Sequence, residues 1–503
     1  MGTYLLGVDI GTSGCKATVI DTNGRFIADG YTEYPSYHPH FGWVEQKSTD
    51  WLNAMILSLK RAAEKGKFST KDIIGLAVDA SAHNTVLLDR NGAVIRDTIM
   101  WQDQRAYQEA AFLKERYLDL IKSTTFSSPS ATWSLPQLMW VRDNEPEVYS
   151  KIERIMFIDD YVRYQLTGAI STTHIQAQGS LMFDNRKMVW SEDLVKLTGL
   201  PMTVLPEIRK TTDISGYVAA KAAALTGLKE GIPVVMGASD TSLESYSVGG
   251  LKPGDCVLKM ATAGGINVFR NIGAPFLDTF IYSHVVDGVW YYGRGTVSAA
   301  QALRWYRDTF CQKELAEEIA GGQNTYQLLD KEAEGVPPGA DGLFFHPYMS
   351  GERAPYWDPK LRASFTGFSS MHRRGHFNRA LLEGVTFSLR QCFEGMEEFG
   401  RIDQISFVGG GSKSPLWRSI LADVFDRKIV KYKRDDSSLG AAMLTGVALG
   451  VFGSHQEAVE KTAVIDSITE PNPENVEKYS KLFPLYVEIH DDLEKTYHKY
   501  EDA

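Results

Sequence analysis

The sequence predicts an α/β protein of two related domains, on three observations. At 503 residues the chain is longer than one hydrophobic core organises, so two large domains are expected. It opens with an apolar strand at 4–10, a glycine-rich polar turn and a second strand at 15–21. After the turn Asp21-Thr22-Asn23-Gly24 a third strand forms at 25–29, so the sheet begins antiparallel. The third observation is a repeat: strand, Thr-centred glycine turn and strand return at 256–269, about half a chain later.

The turn between the first two strands is chemical in character. Gly11 and Gly14 allow backbone N–H groups to converge on one small concavity, and Thr12 and Ser13 add hydroxyl donors. Such a concavity suits phosphate oxygens. Asp9, at the strand end beside it, is a candidate Mg²⁺ ligand, directly or through water, and Lys16 begins the next strand. One copy alone also reads as an ordinary hairpin with a buried Asp. Two copies, the second centred on Thr262 and Gly264, suggest two domains closing on a nucleotide. Gly249-Gly250-Leu251-Lys252-Pro253-Gly254 reads as the link, giving domains at 1–248 and 249–503.

Composition narrows the class. The chain is 43% hydrophobic and 23% charged, which is globular usage. A net charge of −10 argues against nucleic-acid partners and against binding to an anionic membrane. The four cysteines, Cys15, Cys256, Cys311 and Cys392, are scattered, so neither a zinc site nor a disulfide framework is expected. They read as buried thiols of a cytoplasmic protein. No basic segment followed by an apolar run opens the chain, and no stretch approaches 18 apolar residues.

Along the chain, Trp51, Met55, Leu57 and Leu59 give helical spacing at 48–64. A strand at 73–78 runs into Asp79-Ala80-Ser81-Ala82-His83-Asn84; strands at 85–89 and 93–95 flank the Asn91-Gly92 turn. A helix is expected at 106–122. In Gly237-Ala238-Ser239-Asp240 a strand ends in small residues and an Asp opens a helix, where it could serve simply as a cap. The run Val408-Gly409-Gly410-Gly411-Ser412 joins a strand to a helix through backbone without side chains, which lets a flat base and ribose approach. A small-residue helix follows at 438–450, and the tail at 471–503 reads as an amphipathic helix.

The two turns resemble the phosphate loops of the actin-like superfamily that includes sugar kinases. The rest of the chain resembles the FGGY carbohydrate kinases, near the xylulokinase and gluconokinase branches. Ser134-Leu135-Pro136-Gln137 resembles the first family signature, with Gln137 where Lys is usual. Residues 157–168 look like a family helix, and 172–185 like the strand after it. Gly351-Glu352-Arg353-Ala354-Pro355 is a strong family mark. Residues 363–384 resemble the second signature, with Phe368 and Leu381 bulkier than usual.

The resemblance implies two actin-like (RNase H-like) domains with a nucleotide- and sugar-binding cleft between them. It implies Asp240 as the base that takes the proton of a sugar hydroxyl, with ATP and Mg²⁺ required. It assigns ATP phosphates to Gly11, Thr12, Ser13, Lys16, Thr262 and Gly264, and adenosine to Gly409, Gly410, Gly411 and Ser412. Sugar contacts fall to His83, to Trp101, Asp103 and Arg105 of a Trp-x-Asp-x-Arg segment, and to Asp240. Ala82, Asn84 and Thr241 depart from the family pattern and leave the sugar open. D-Xylulose is the first expectation; gluconate, or another sugar acid, ketose or polyol, is the second, and a carboxylate substrate would want a cation such as Arg105. A non-enzymatic ATP-binding switch is a remote third. A homodimer is the family expectation. The chain has no G-x-x-x-x-G-K-[ST] run, so a P-loop kinase is excluded.

Overall fold

The computed structural model describes residues 3–398 and 400–499. It divides into two compact units that are not two contiguous halves. The first comprises residues 1–251, 271–291 and 434–464, and the second 252–270, 292–433 and 465–503.

In the first unit, β1 (Tyr4–Ile10), β2 (Gly14–Asp21) and β3 (Phe26–Glu33) form the expected antiparallel run. On the other side of β1 the sheet continues through Ile73–Ala80, Pro233–Val235 and Ile214–Tyr217. β1 and Pro233–Val235 both run parallel to Ile73–Ala80. A strand paired on both sides and covered on both faces should be apolar almost throughout. Leu5, Leu6, Val8 and Ile10 are indeed fully buried. One face carries α1 (Ser48–Gly66), which presents Trp51, Met55, Leu59 and Ala62.

The other face carries helix Ser437–Ala448, which comes from late in the chain yet belongs to this unit. Its small residues Ala441 and Ala442 let it lie directly on β1, while Gly440 lets it approach Leu243. The approach is so close that a Cβ at Gly7 would stand 1.9 Å from the Ser438 carbonyl oxygen. Gly7→Ala is therefore expected to destabilise the protein by about 1–3 kcal/mol, the usual cost of overpacking. Urea unfolding should show a lower midpoint at unchanged slope.

The second unit repeats the plan. Cys256–Met260 is antiparallel to Gly264–Arg270 and parallel to Gln404–Val408, as β1 is to β2 and to Ile73–Ala80. Lys428–Tyr432 and Ile465–Thr469 extend that sheet. Helices Arg374–Phe393 and Pro415–Phe425 pack together there, joined by the Trp417 indole, which donates to the Leu382 carbonyl at 3.1 Å. Glu383 accepts from Arg379 Nε at 2.6 Å, Tyr479 at 2.6 Å and the Gly339 amide at 3.0 Å, so it holds the core together.

Some elements differ from expectation. Residues 172–185 are not one strand: Ser171–Thr173 is followed by a helical turn, His174–Gln178, and then Phe183–Asp184. The Thr173 hydroxyl caps that turn by accepting from the Gln176 amide. Residues 93–95 contribute one bridge, Val94 to Leu88, whereas Thr85–Leu88 pairs with Arg154–Phe157. The C-terminal helix is Pro473–Tyr497, and 500–503 lie outside the described residues. Among the described residues no helix is long and apolar enough to cross a membrane.

Candidate active site

In the first unit, parallel pairing gathers carboxylates at the strand ends. The register of β1 with Ile73–Ala80 sets Asp79 opposite Asp9, one residue before both strands finish. Ala80 in turn bridges to Ser239, which precedes Asp240 at the start of helix Asp240–Ser247. Asp436 caps helix Ser437–Ala448 from above β1. Two carboxyl groups at adjacent strand ends, a third at the start of helix Asp240–Ser247, and Asp436 thus share one region. Ends of this kind are where open α/β sheets bind ligands.

The electrostatics disfavour charge on these carboxyl groups. Burial pushes the Asp9 carboxyl pKa well up, and the charges of Asp240 and Asp436 push it further. Asp79 is raised by burial, then by Asp9 and Asp240. The Ser437 hydroxyl offsets only part of this. Asp9 Oδ1 and both Asp79 oxygens are buried, and the Ser437 hydroxyl and the contact between the two carboxyl groups leave most of that burial uncompensated. Unpaired buried carboxylates are costly, and a hard oxygen-seeking cation relieves that cost. These residues therefore fit the Mg²⁺ that the resemblance implies.

Lys16 lies across the hairpin from Asp9, but its ammonium reaches Asp436 at 2.8 Å and Asp29 at 3.9 Å. Burial works against its charge; Asp436 and Asp29 more than restore it, and its pKa ends above the ordinary value. The turn itself is braced: the Gly11 amide donates to the Gly14 carbonyl at 3.0 Å, and Gln46 Nε2 donates to the Thr12 carbonyl at 2.7 Å. The Trp101 indole donates to Thr12 Oγ1 at 3.3 Å, so an expected sugar residue touches the expected phosphate turn.

His83 sits in a loop with φ of 78°. Asn84 holds that loop, donating to the Ser81 and Ala82 carbonyls while its Oδ1 accepts from the Trp101 amide at 2.6 Å. Asn84 is thus the brace of the loop. Asp240 Oδ1 accepts from the Thr241 amide and hydroxyl, which gives Thr241 an orienting part.

Asp103 and Arg105 are placed differently. Their side chains are fully buried and pair with each other, Nη2 to Oδ2 at 2.8 Å. Arg105 Nη1 also meets Glu45 at 2.7 Å, and its guanidinium lies 3.8 Å from the Trp43 ring. The pair is a buried brace beneath the Trp101 segment rather than a group brought to the carboxylates.

In the second unit, the Thr262 turn packs against the start of helix Ala300–Phe310. The Thr262 carbonyl accepts from the Ala299 amide at 2.9 Å, and the Gly264 amide donates to Thr296 Oγ1 at 3.2 Å. Gly409, at φ of 89°, needs its missing side chain: a Cβ there would stand 2.6 Å from the Met260 carbonyl oxygen. A Cβ at Gly411 would strike the Met260 side chain, whereas at Gly410 it would meet open space. Ser412 Oγ donates back to the Gly409 carbonyl at 2.7 Å. The expected adenosine turn and the expected phosphate turn are therefore neighbours, joined at Met260.

Sequence reasoning passed over Asp79 and Asp436. Asp79 carried a readable signal, since an apolar strand ending in Asp repeats the pattern of Asp9. Asp436 carried none beyond a capping residue before a helix.

Comparison with known proteins agrees with this geometry. Residues 4–245 match the N-terminal domain of the FGGY family of carbohydrate kinases, and residues 269–449 match its C-terminal domain. The chain is 30% identical to a xylulose kinase of Bacillus subtilis over 491 residues, covering 97% of this chain and 96% of that one. It is equally 30% identical to a gluconokinase of the same organism over 507 residues, covering 99% and 97%. The crystal structure of a xylulose kinase from Rhodospirillum rubrum superposes with a TM-score of 0.87 at 28% identity, covering 98% of this chain and all of that one. The chain accordingly belongs to the FGGY family of carbohydrate kinases, with the two-domain actin-like fold of that family, and is an ATP-dependent phosphotransferase.

Proposed function

We propose that the chain phosphorylates a neutral ketopentose, D-xylulose first, at its terminal hydroxyl. The observation that carries this reading is the meeting of Asp240 with Asp9 and Asp79 at the ends of adjacent strands. Asp240 is the base: Thr241 occupies Oδ1, which leaves Oδ2 to accept the proton of the attacking hydroxyl. Asp9 and Asp79 would hold Mg²⁺, which when bound neutralises charge on the phosphates. Gly11, Thr12, Ser13 and Lys16 in the first unit, and Thr262 and Gly264 in the second, are assigned to ATP phosphates. Gly409 to Ser412 are assigned to adenosine. His83 and Trp101 are assigned to the sugar, with Asp103 and Arg105 holding the wall behind them. A homodimer and a cytoplasmic location belong to the same reading; light scattering on the purified protein tests the first.

Two placements favour a neutral sugar over a sugar acid. Arg105, the cation a carboxylate would want, is engaged by Asp103 and Glu45. Residues 346–357 look like gluconokinases, but His346 there is buried against Tyr486 with ring centroids 4.2 Å apart. The similarity to a gluconokinase keeps gluconate as the second reading. Coupled ADP release with ATP, Mg²⁺ and a panel of ketopentoses, polyols and sugar acids is the test. D-Xylulose is expected to give the highest kcat/KM, and a sugar acid leading the panel would overturn the reading.

A further inference from the structure

His83 has a partner on strand Phe280–Ser283 of the same unit. Its Nε2 lies 3.2 Å from the Tyr282 hydroxyl. Tyr282 is buried and firmly held. Its ring stacks on Trp133 at 6.4 Å and 16°, and on Tyr291 at 5.6 Å and 15°. The next residue, Ser283, is gripped by Gln178, whose Oε1 accepts from the Ser283 amide at 3.0 Å and from its hydroxyl at 2.9 Å. His83 is equally confined: Ser134 Oγ donates to its carbonyl at 2.7 Å, and Trp133 meets its ring edgewise at 4.4 Å.

The protons can be assigned from these contacts. Burial keeps the Tyr282 phenol protonated and holds His83 neutral. A buried phenol O–H that fails to donate is costly, and His83 Nε2 is the acceptor beside it. If Nε2 accepts, the imidazole proton resides on Nδ1. That Nδ1 is buried and has no hydrogen-bond partner among the described residues. A confined N–H donor without an acceptor, on a wall that also feels the Asp240 charge at Tyr282, suits a ligand oxygen.

We propose that Tyr282 is a positioning residue that fixes His83 as the Nδ1–H tautomer, so that His83 donates a hydrogen bond to a carbonyl or hydroxyl oxygen of the sugar. The inference rests on the sugar-kinase reading of this wall, and it extends that reading to a residue outside every motif discussed above. It also sharpens the substrate class. A donor held in one tautomer distinguishes sugars by where the acceptor oxygen lies.

The test combines kinetics with the tautomer itself. In protein labelled with ¹⁵N-histidine, long-range proton–nitrogen spectra separate Nδ1–H from Nε2–H imidazoles, and His83→Asn identifies the His83 signals by their loss. Wild type is expected to show Nδ1–H at His83, and Tyr282→Phe is expected to lose that preference. The same variant, with its thermal midpoint checked against wild type, should raise the KM for the sugar about fivefold to tenfold, the worth of one hydrogen bond. The kcat and the KM for ATP should stay within about twofold of wild type. An Nε2–H tautomer in wild type overturns the proposal, as does a Tyr282→Phe variant with unchanged tautomer and unchanged KM. Failure of the sugar-kinase reading would look different: wild type would release no ADP with any sugar, and the tautomer spectrum alone would then judge Tyr282.

Discussion

Asp240→Asn is expected to lower kcat about 10²-fold or more, with both KM values near those of wild type. The substitution keeps shape and most hydrogen bonding. Asn also offers an Oδ1 to the Thr241 amide and hydroxyl, so the helix start survives. What disappears is the proton acceptor and one negative charge. That charge now disfavours ionisation of both Asp9 and Asp79, so its removal should leave the metal-free protein at least as stable as wild type. A folded, slightly more stable and nearly inactive variant is the signature of a catalytic group. A mere helix cap would behave oppositely, losing stability while keeping its rate. Near-normal kcat in a folded Asp240→Asn protein would refute the assignment.

The parts of the fold that were legible in the sequence are those written in contiguous residues. The two hairpins, the helix start at Asp240 and the triple glycine each declare themselves within about ten positions. The elements that escaped depend on partners far along the chain. Asp79 reads as an unremarked strand end until parallel pairing sets it beside Asp9. Lys16 stands in the phosphate turn by sequence, but nothing near it tells that the late-arriving helix brings Asp436 to within 2.8 Å of it. Arg105 was identified as a site residue, but nothing in its segment tells that Glu45 and Trp43 enclose it. Residues 172–185 read as one strand only through the family resemblance, whereas the capping hydroxyl of Thr173 starts a helical turn at 174–178.

The second large effect concerns the buried acid pair, and its sign follows from linkage. Asp9 and Asp79 have pKa values raised in the folded protein, Asp9 by burial and then by Asp240 and Asp436, and Asp79 by burial and then by Asp9 and Asp240. For such groups the folded state binds more protons than the unfolded state at pH values between the unfolded and the folded pKa. Stability without metal must therefore fall as pH climbs from the ordinary carboxylate range, about 4, through the raised pKa values of the pair. In the proposed reading Mg²⁺ would bind the ionised pair and should return what ionisation removes, because a ligand of the native state alone stabilises it by mass action. In melts recorded with chelator and with Mg²⁺, the metal-induced rise in Tm is expected to be larger at pH 8 than at pH 5. Asp79→Asn should raise the metal-free Tm at pH 8 and abolish most of the Mg²⁺ response. It should also cut kcat on the order of 10²-fold, since charge neutralisation by the ion contributes several kcal/mol to such transfers. An equal Mg²⁺ response at both pH values, or a metal-free Asp79→Asn protein less stable than wild type, would mean that the pair is a structural feature of the sheet end and not a cation site. The contrast with Asp240 is what makes the two experiments informative together. Both substitutions remove one carboxylate from the same cluster, yet only Asp79→Asn is expected to erase the response to Mg²⁺.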